Sequence, residues 1–163
     1  MKPQTHLVSI RLALASLLGA AVAAPALANT ESASFNVGME VVATCSINAS
    51  DISFSTITTG TTTVNDSEGQ ITVNCSNGAP YSVKLNDGSN FSDGRRLASN
   101  GSFITYDLFK DVNRTSPWGT ALFVSGTGNG SNQLLPVYGR IPSGQLVPEM
   151  GNYADTVVAT ISY

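Results

Sequence analysis

Histidine is nearly absent from this chain, and charge is sparse. The single histidine is His6, close to the N-terminus. Charged residues fill 12% of the 163 positions, about half the ~25% usual in globular domains. Without an imidazole beyond His6, Ser-His-Asp and Cys-His nucleophile schemes have no base, and most zinc sites have no nitrogen ligand. No Gly-rich segment leads into Lys-Ser/Thr and a helix, so no phosphate loop is present. Helix signals are almost missing after Ala28. There is no cluster of basic residues, which argues against nucleic acid and anionic membrane surfaces as partners. Cysteine is limited to Cys45 and Cys75.

What is there begins with an address. MKPQTHLVSIR carries Lys2 and Arg11, and LALASLLGAAVAA (Leu12 to Ala24) is an unbroken apolar and small-residue run. Ala26-Leu27-Ala28 then fits the small-x-small cleavage rule. In this order the three features mark residues 1–28 as a secretory signal peptide, with cleavage expected before Asn29. The apolar run is too short to remain as a spanning helix, so no membrane attachment is expected after cleavage. A mature chain of 135 residues has the size of one domain. Loss of Lys2 and Arg11 leaves six basic residues against 11 acidic, a net charge of −5. Export carries Cys45 and Cys75 into an oxidising compartment, where one disulfide is the default. Such a bridge closes about 30 residues and contributes roughly 3–4 kcal/mol in the chain-entropy model.

Short alternating apolar runs recur between turn signals, the pattern of an all-β chain. Phe35, Val37, Met39 and Val41 form the first. Ile71, Val73 and Cys75 follow, then Tyr81, Val83 and Leu85, then Ile104, Tyr106 and Leu108. Leu135, Val137, Gly139 and Ile141 make another, and Val157, Ala159, Ile161 and Tyr163 the last. NDGSNFSDG (Asn86 to Gly94), SGTGNGSN (Ser125 to Asn132) and IPSG (Ile141 to Gly144) have turn and loop compositions. Six or more strands at this spacing predict an antiparallel sandwich. The tract TITTGTTTV (Thr56 to Val64) has no period that separates strand from exposed loop.

Candidate chemistry is thin. Asp87, Asp93, Asp107 and Asp111 could form a glycosidase pair or a calcium site. Asp87 and Asp93 each precede a glycine, however, and read better as turn residues. The Asp87-x-Ser89 spacing lacks the glycine and bidentate glutamate of a calcium loop. Asn-x-Ser/Thr triplets at Asn48, Asn65 and Asn100 matter only in a glycosylating host. Trp118, in SPWGT, is either a sugar-stacking platform or a core residue after a Pro turn, and the second reading is favoured. No enzyme activity, cofactor or metal is expected.

The two ends raise a different possibility. The terminal strand buries one face but has no following strand for its free edge, an aggregation hazard unless something pairs with it. The segment from Asn29 to Glu40 starts polar and runs into the Phe35/Val37/Met39/Val41 alternation. It could be the domain's own first strand, or it could leave the domain and fill another molecule's groove.

YDLFKDVNRTSPWG (Tyr106 to Gly119), LPVYGRIPSGQ (Leu135 to Gln145) and GNYADTVVATISY (Gly151 to Tyr163) resemble the spore coat U domain proteins, the pilins of archaic, Csu-type chaperone–usher pili. ATCSI around Cys45 and ITVNCSNGAPYSV around Cys75 are similar to that family's two disulfide positions. The resemblance implies an immunoglobulin-like antiparallel β-sandwich lacking its last strand, over residues 41–163, preceded by a donor-strand extension at 29–40. It implies Phe35, Val37, Met39 and Val41 as donor side chains and Val157, Ala159, Ile161 and Tyr163 along the edge of an acceptor groove. The implied partners are a periplasmic chaperone, an outer-membrane usher and neighbouring copies of this chain or related pilins. The implied role is a structural pilus subunit that passes through the periplasm to the cell surface and supports adhesion or biofilm formation. Donor-strand complementation between chaperone and pilin is a known mode of strand addition. The competing expectation is a secreted monomeric sandwich that binds a glycan or a coat component.

Overall fold

Successive side chains of a strand point to opposite faces, and the structure turns the apolar set of four of the six alternating runs into the core. The computed structural model describes residues 28–58, 60–147 and 149–163. The chain divides into two units, residues 1–39 and 40–163. In the first, residues 28–39 form no helix or strand and are exposed. The signal peptide expected over residues 1–28 falls, but for Ala28, outside the described residues.

The second unit is all-β, with no helix among the described residues. Its strands are β1 (Cys45–Ala49), β2 (Gly60–Thr61), β3 (Asn65–Cys75), β4 (Pro80–Leu85), β5 (Arg95–Ser99), β6 (Ser102–Phe109), β7 (Val124–Thr127), β8 (Asn132–Ile141), β9 (Leu146–Val147) and β10 (Ala159–Ser162). A five-stranded sheet runs β1-β3-β8-β6-β5, and a three-stranded sheet runs β10-β4-β7. All pairings are antiparallel. The expected tract at Thr56 to Val64 becomes the short β2, paired with β9. Thr62 beside it is buried and donates its hydroxyl to the Pro142 carbonyl at 2.8 Å.

The core is the inward set of the expected strands: Ile71, Val73 and Cys75 on β3, Tyr81, Val83 and Leu85 on β4, Ile104, Tyr106 and Leu108 on β6, and Val137 and Ile141 on β8. Cys45 and Cys75 are register partners at the β1–β3 edge and are joined by a disulfide. Pro136 has no N–H for a ladder. It lies where β8 has run past its short pairing with β6, which spans Tyr138 to Arg140. Trp118 is 1% exposed, and its indole N–H donates to the Val83 carbonyl at 3.0 Å. It has no face for a sugar, so the stacking platform is removed.

Two runs differ from their expected extent. The last strand forms a regular ladder only over Ala159–Ser162, against β4. Before it, the chain touches β5 through a single bridge, Ala154 to Ala98. The alternation at Phe35 to Val41 forms no strand. A strand exists only where its amides have a neighbour, and alternation alone does not supply one.

Candidate functional site

An open cleft of about 1030 Å³ runs through the second unit between two lips. Its floor is apolar: Ile71, Leu85, Ile104, Leu108, Val137 and Ile141. Residues 49–58 form the first lip and residues 149–159 the second. Each lip adds half-buried apolar side chains, Ile52, Phe54 and Ile57 on one side and Tyr153, Val157 and Ala159 on the other. Apolar groups held at half burial around such a cleft are ready to lose their remaining water to an inserted segment.

The first lip is attached by side chains as well as by main chain. The Ser50 N–H donates to the Gln70 carbonyl at 2.8 Å. The Ser67 hydroxyl donates to Ser53 O at 2.6 Å, and the buried Asn65 donates its Nδ2 to Ser55 O at 2.8 Å. Two glycines let this lip lie close to the sheet. A Cβ on Gly69 would stand 2.5 Å from Ile52 Cγ1, and one on Gly139 would stand 2.9 Å from Phe54 Cζ. The second lip hangs on the β4–β5 loop and on β5. Ser89 N–H donates to Thr156 O at 3.1 Å, and Asn86 N–H donates to Val158 O at 3.0 Å.

The expected site residues fall as follows. Val157 and Ala159 line the cleft. Ile161 is half-buried against the core further along β10. Tyr163 is 61% exposed, beside a shallow depression with Tyr81 and Gly126. Phe35, Val37, Met39 and Val41 are 84%, 87%, 87% and 82% exposed. Four consecutive alternating apolar side chains at this exposure are unusual for a soluble chain. The sequence reading missed the first lip and, on the second, Asp155. The only signal for the first lip was the Ile52/Phe54 alternation, two positions long in a serine-rich stretch.

Asp87 and Asp93 lie in the loop as expected. Asp111 accepts from the N–H groups of Thr115 and Ser116 and closes its own turn. Among the described residues no three carboxylate, histidine or cysteine side chains gather as a metal site.

Comparison with known proteins agrees with this geometry. Protein U of Myxococcus xanthus is 42% identical over 73 residues, which are 42% of this chain and 38% of that protein. A chain in the crystal structure of the CsuC–CsuE chaperone–tip adhesion subunit pre-assembly complex, from archaic chaperone–usher Csu pili of Acinetobacter baumannii, is also similar. It is 26% identical with a TM-score of 0.57, over 76% of this chain and 40% of that one. This chain therefore spans about two fifths of the length of each. The Spore Coat Protein U domain model matches residues 31–160. The chain belongs to the Spore Coat Protein U domain family.

Proposed function

We propose that this protein is a structural subunit of a surface pilus, assembled through a chaperone–usher pathway by donor-strand exchange. The observation that carries the reading is the apolar cleft between residues 49–58 and 149–159. The likeness to a chain of a chaperone–subunit complex from Csu pili supports it. So do the four exposed alternating side chains Phe35, Val37, Met39 and Val41. In this reading the segment at 29–40 of one subunit enters the cleft of the next, and Val157 and Ala159 flank it. Ile161 and Tyr163 continue the edge beyond the cleft. Burying the four donor side chains yields on the order of 6–10 kcal/mol before ordering costs, and added main-chain bonds set the register. A periplasmic chaperone fills the cleft first, and an outer-membrane usher exchanges it for the next donor. The contact is heterologous and does not close, so copies or related pilins grow as a fibre. Residues 1–28 direct export, the fibre stands on the cell surface, and adhesion or biofilm formation is its use.

The test silences the donor face in the full chain with Val37→Asp and Met39→Asp. The unchanged chain should form head-to-tail oligomers. The double variant should stay unassembled and melt at a lower temperature, and a peptide of residues 29–42 should raise that melting temperature. A double variant that is a stable monomer indifferent to the peptide would falsify the reading.

A further inference from the structure

The stretch NDGSNFSDG looks like a plain turn, yet three of its side chains, Asn86, Ser89 and Asn90, reach the second lip. Asp155 sits in that lip, half-buried within the cleft lining. Its Oδ2 accepts the Tyr106 hydroxyl at 2.7 Å. Its Oδ1 accepts both the N–H and the Nδ2 of Asn90 at 3.1 Å. Gly88, at φ +86°, leaves the space for this carboxylate, since a Cβ there would run into it. Asn90 Nδ2 also donates to Ala154 O at 3.1 Å, and Asn86 Oδ1 accepts from the Val158 N–H at 2.8 Å. Arg95 holds the loop from below, donating to Asn86 O through Nε at 3.0 Å and Nη2 at 2.6 Å. Burial, then the bond to Asp155, pushes the pKa of Tyr106 well above its ordinary value, so the hydroxyl stays a donor.

The main chain alone holds this lip weakly. From 149 to 158 its described hydrogen bonds to neighbouring main chain are the reciprocal pair between Ala154 and Ala98 and the bonds to Ser89 and Asn86. No continuous ladder secures it before Ala159. A carboxylate accepting three donors makes stronger bonds than neutral pairs do.

We propose that Asp155 is a positioning residue for the cleft: bound by Tyr106 and Asn90 over Gly88, it fixes the second lip so that the cleft is preformed for an incoming strand. The proposal rests on the donor-strand reading above. A preformed lip spares the incoming strand the cost of ordering it, so the effect appears in strand affinity more than in the fold.

The experiment uses the full chain with Val37→Asp and Met39→Asp as parent, so that added peptide 29–42 is the only donor. Asp155→Ala, Tyr106→Phe and the combination are compared for peptide affinity, for melting temperature without peptide, and for amide exchange at Ser89, Ala154 and Val158, whose N–H groups bond across the lip. Asp155→Ala should weaken the peptide about tenfold and speed exchange at the three amides before any peptide is added. Tyr106→Phe should weaken it by less, and the combination should be no worse than Asp155→Ala, because the two share one link. If Asp155→Ala does not fold, Tyr106→Phe carries the same comparison, since it keeps the ring in the core. Unchanged affinity with unchanged exchange overturns the proposal, as does a fall in melting temperature with no change in affinity. If the parent binds no peptide, the donor-strand reading fails separately. The exchange data then decide alone: faster lip amides support the positioning role and unaltered ones reject it.

Discussion

Asp66 shows how single residues set the conditions under which this sandwich holds. It points outward from β3 opposite Arg140 of β8. Its carboxylate accepts Arg140 Nε at 2.7 Å and Nη2 at 2.8 Å, a two-point contact. Arg114 Nε stands 3.4 Å away on the same oxygen. The Arg140 bonds, with the nearby Arg114 charge, hold Asp66 below its ordinary value of 3.8. A carboxyl whose folded pKa is depressed contributes stability above the unfolded value and loses it as pH falls through the folded one. The melting temperature should therefore drop on acidification below about pH 4, and Asp66→Asn should show a shallower drop. The side chain is 34% exposed, so solvent screening keeps the effect under about 1 kcal/mol. Equal acid slopes in thermal melts of the two proteins would remove this role. Trp118 makes the opposite point. Sugar stacking and core packing are both open to a lone tryptophan after a Pro turn, and its placement in the core with a satisfied indole N–H agrees with the favoured reading and leaves it to packing alone.

Among the elements, the first lip is the one most exposed to small changes in the sheet beneath it. Ile52 and Phe54 settle against β3 and β8 because Gly69 and Gly139 carry no Cβ. Gly69→Ala would place a methyl 2.5 Å from Ile52 Cγ1 and 3.3 Å from the Ser50 carbonyl. Overpacking of this kind costs about 1–3 kcal/mol. The melting temperature should fall, and a second change, Ile52→Ala, should recover part of the loss, since the two positions share one contact. Additive losses in calorimetry would show that the glycine serves some other purpose. The lips also mark where the sequence stops being readable. Core strands such as Tyr81/Val83/Leu85 and Ile104/Tyr106/Leu108 announce themselves because alternation reports which face is buried. The lips are held instead by Asn65, Ser67, Asn86 and Asn90, each bonding to main chain or carboxylate far away in sequence. In a chain crowded with Ser and Asn, no period separates those residues from ordinary loop residues. The alternation through Val157 and Ala159 marks a strand with one face turned inward, and both line the cleft, whereas Asp155 carries no such signal, because its partners are set by the fold.

At the scale of the whole molecule, the exposed run Phe35 to Val41 and the apolar cleft pose the same question of supply. An apolar cleft of about 1030 Å³ and four apolar side chains more than 80% exposed are both costly in water. Each becomes favourable if one molecule's segment fills another's cleft. Joining donor and acceptor in one chain separates this mechanism from general stickiness. Residues 29–42 appended after Tyr163 through a short turn would place a second donor beside the free edge of β10. A tight turn allows only antiparallel return. In the chain carrying Val37→Asp and Met39→Asp, the added strand should give a monomer with a higher melting temperature. The linkage turns association into an intramolecular step at roughly millimolar effective concentration, and occupancy stabilises the folded state in proportion to its logarithm. The same tail with its own Val37 and Met39 equivalents changed to Asp should give no gain. If a short turn fails and a long flexible linker succeeds, the donor runs parallel to β10. If neither linker stabilises the chain, the cleft takes no strand from this sequence, and the exposed run must have a different partner.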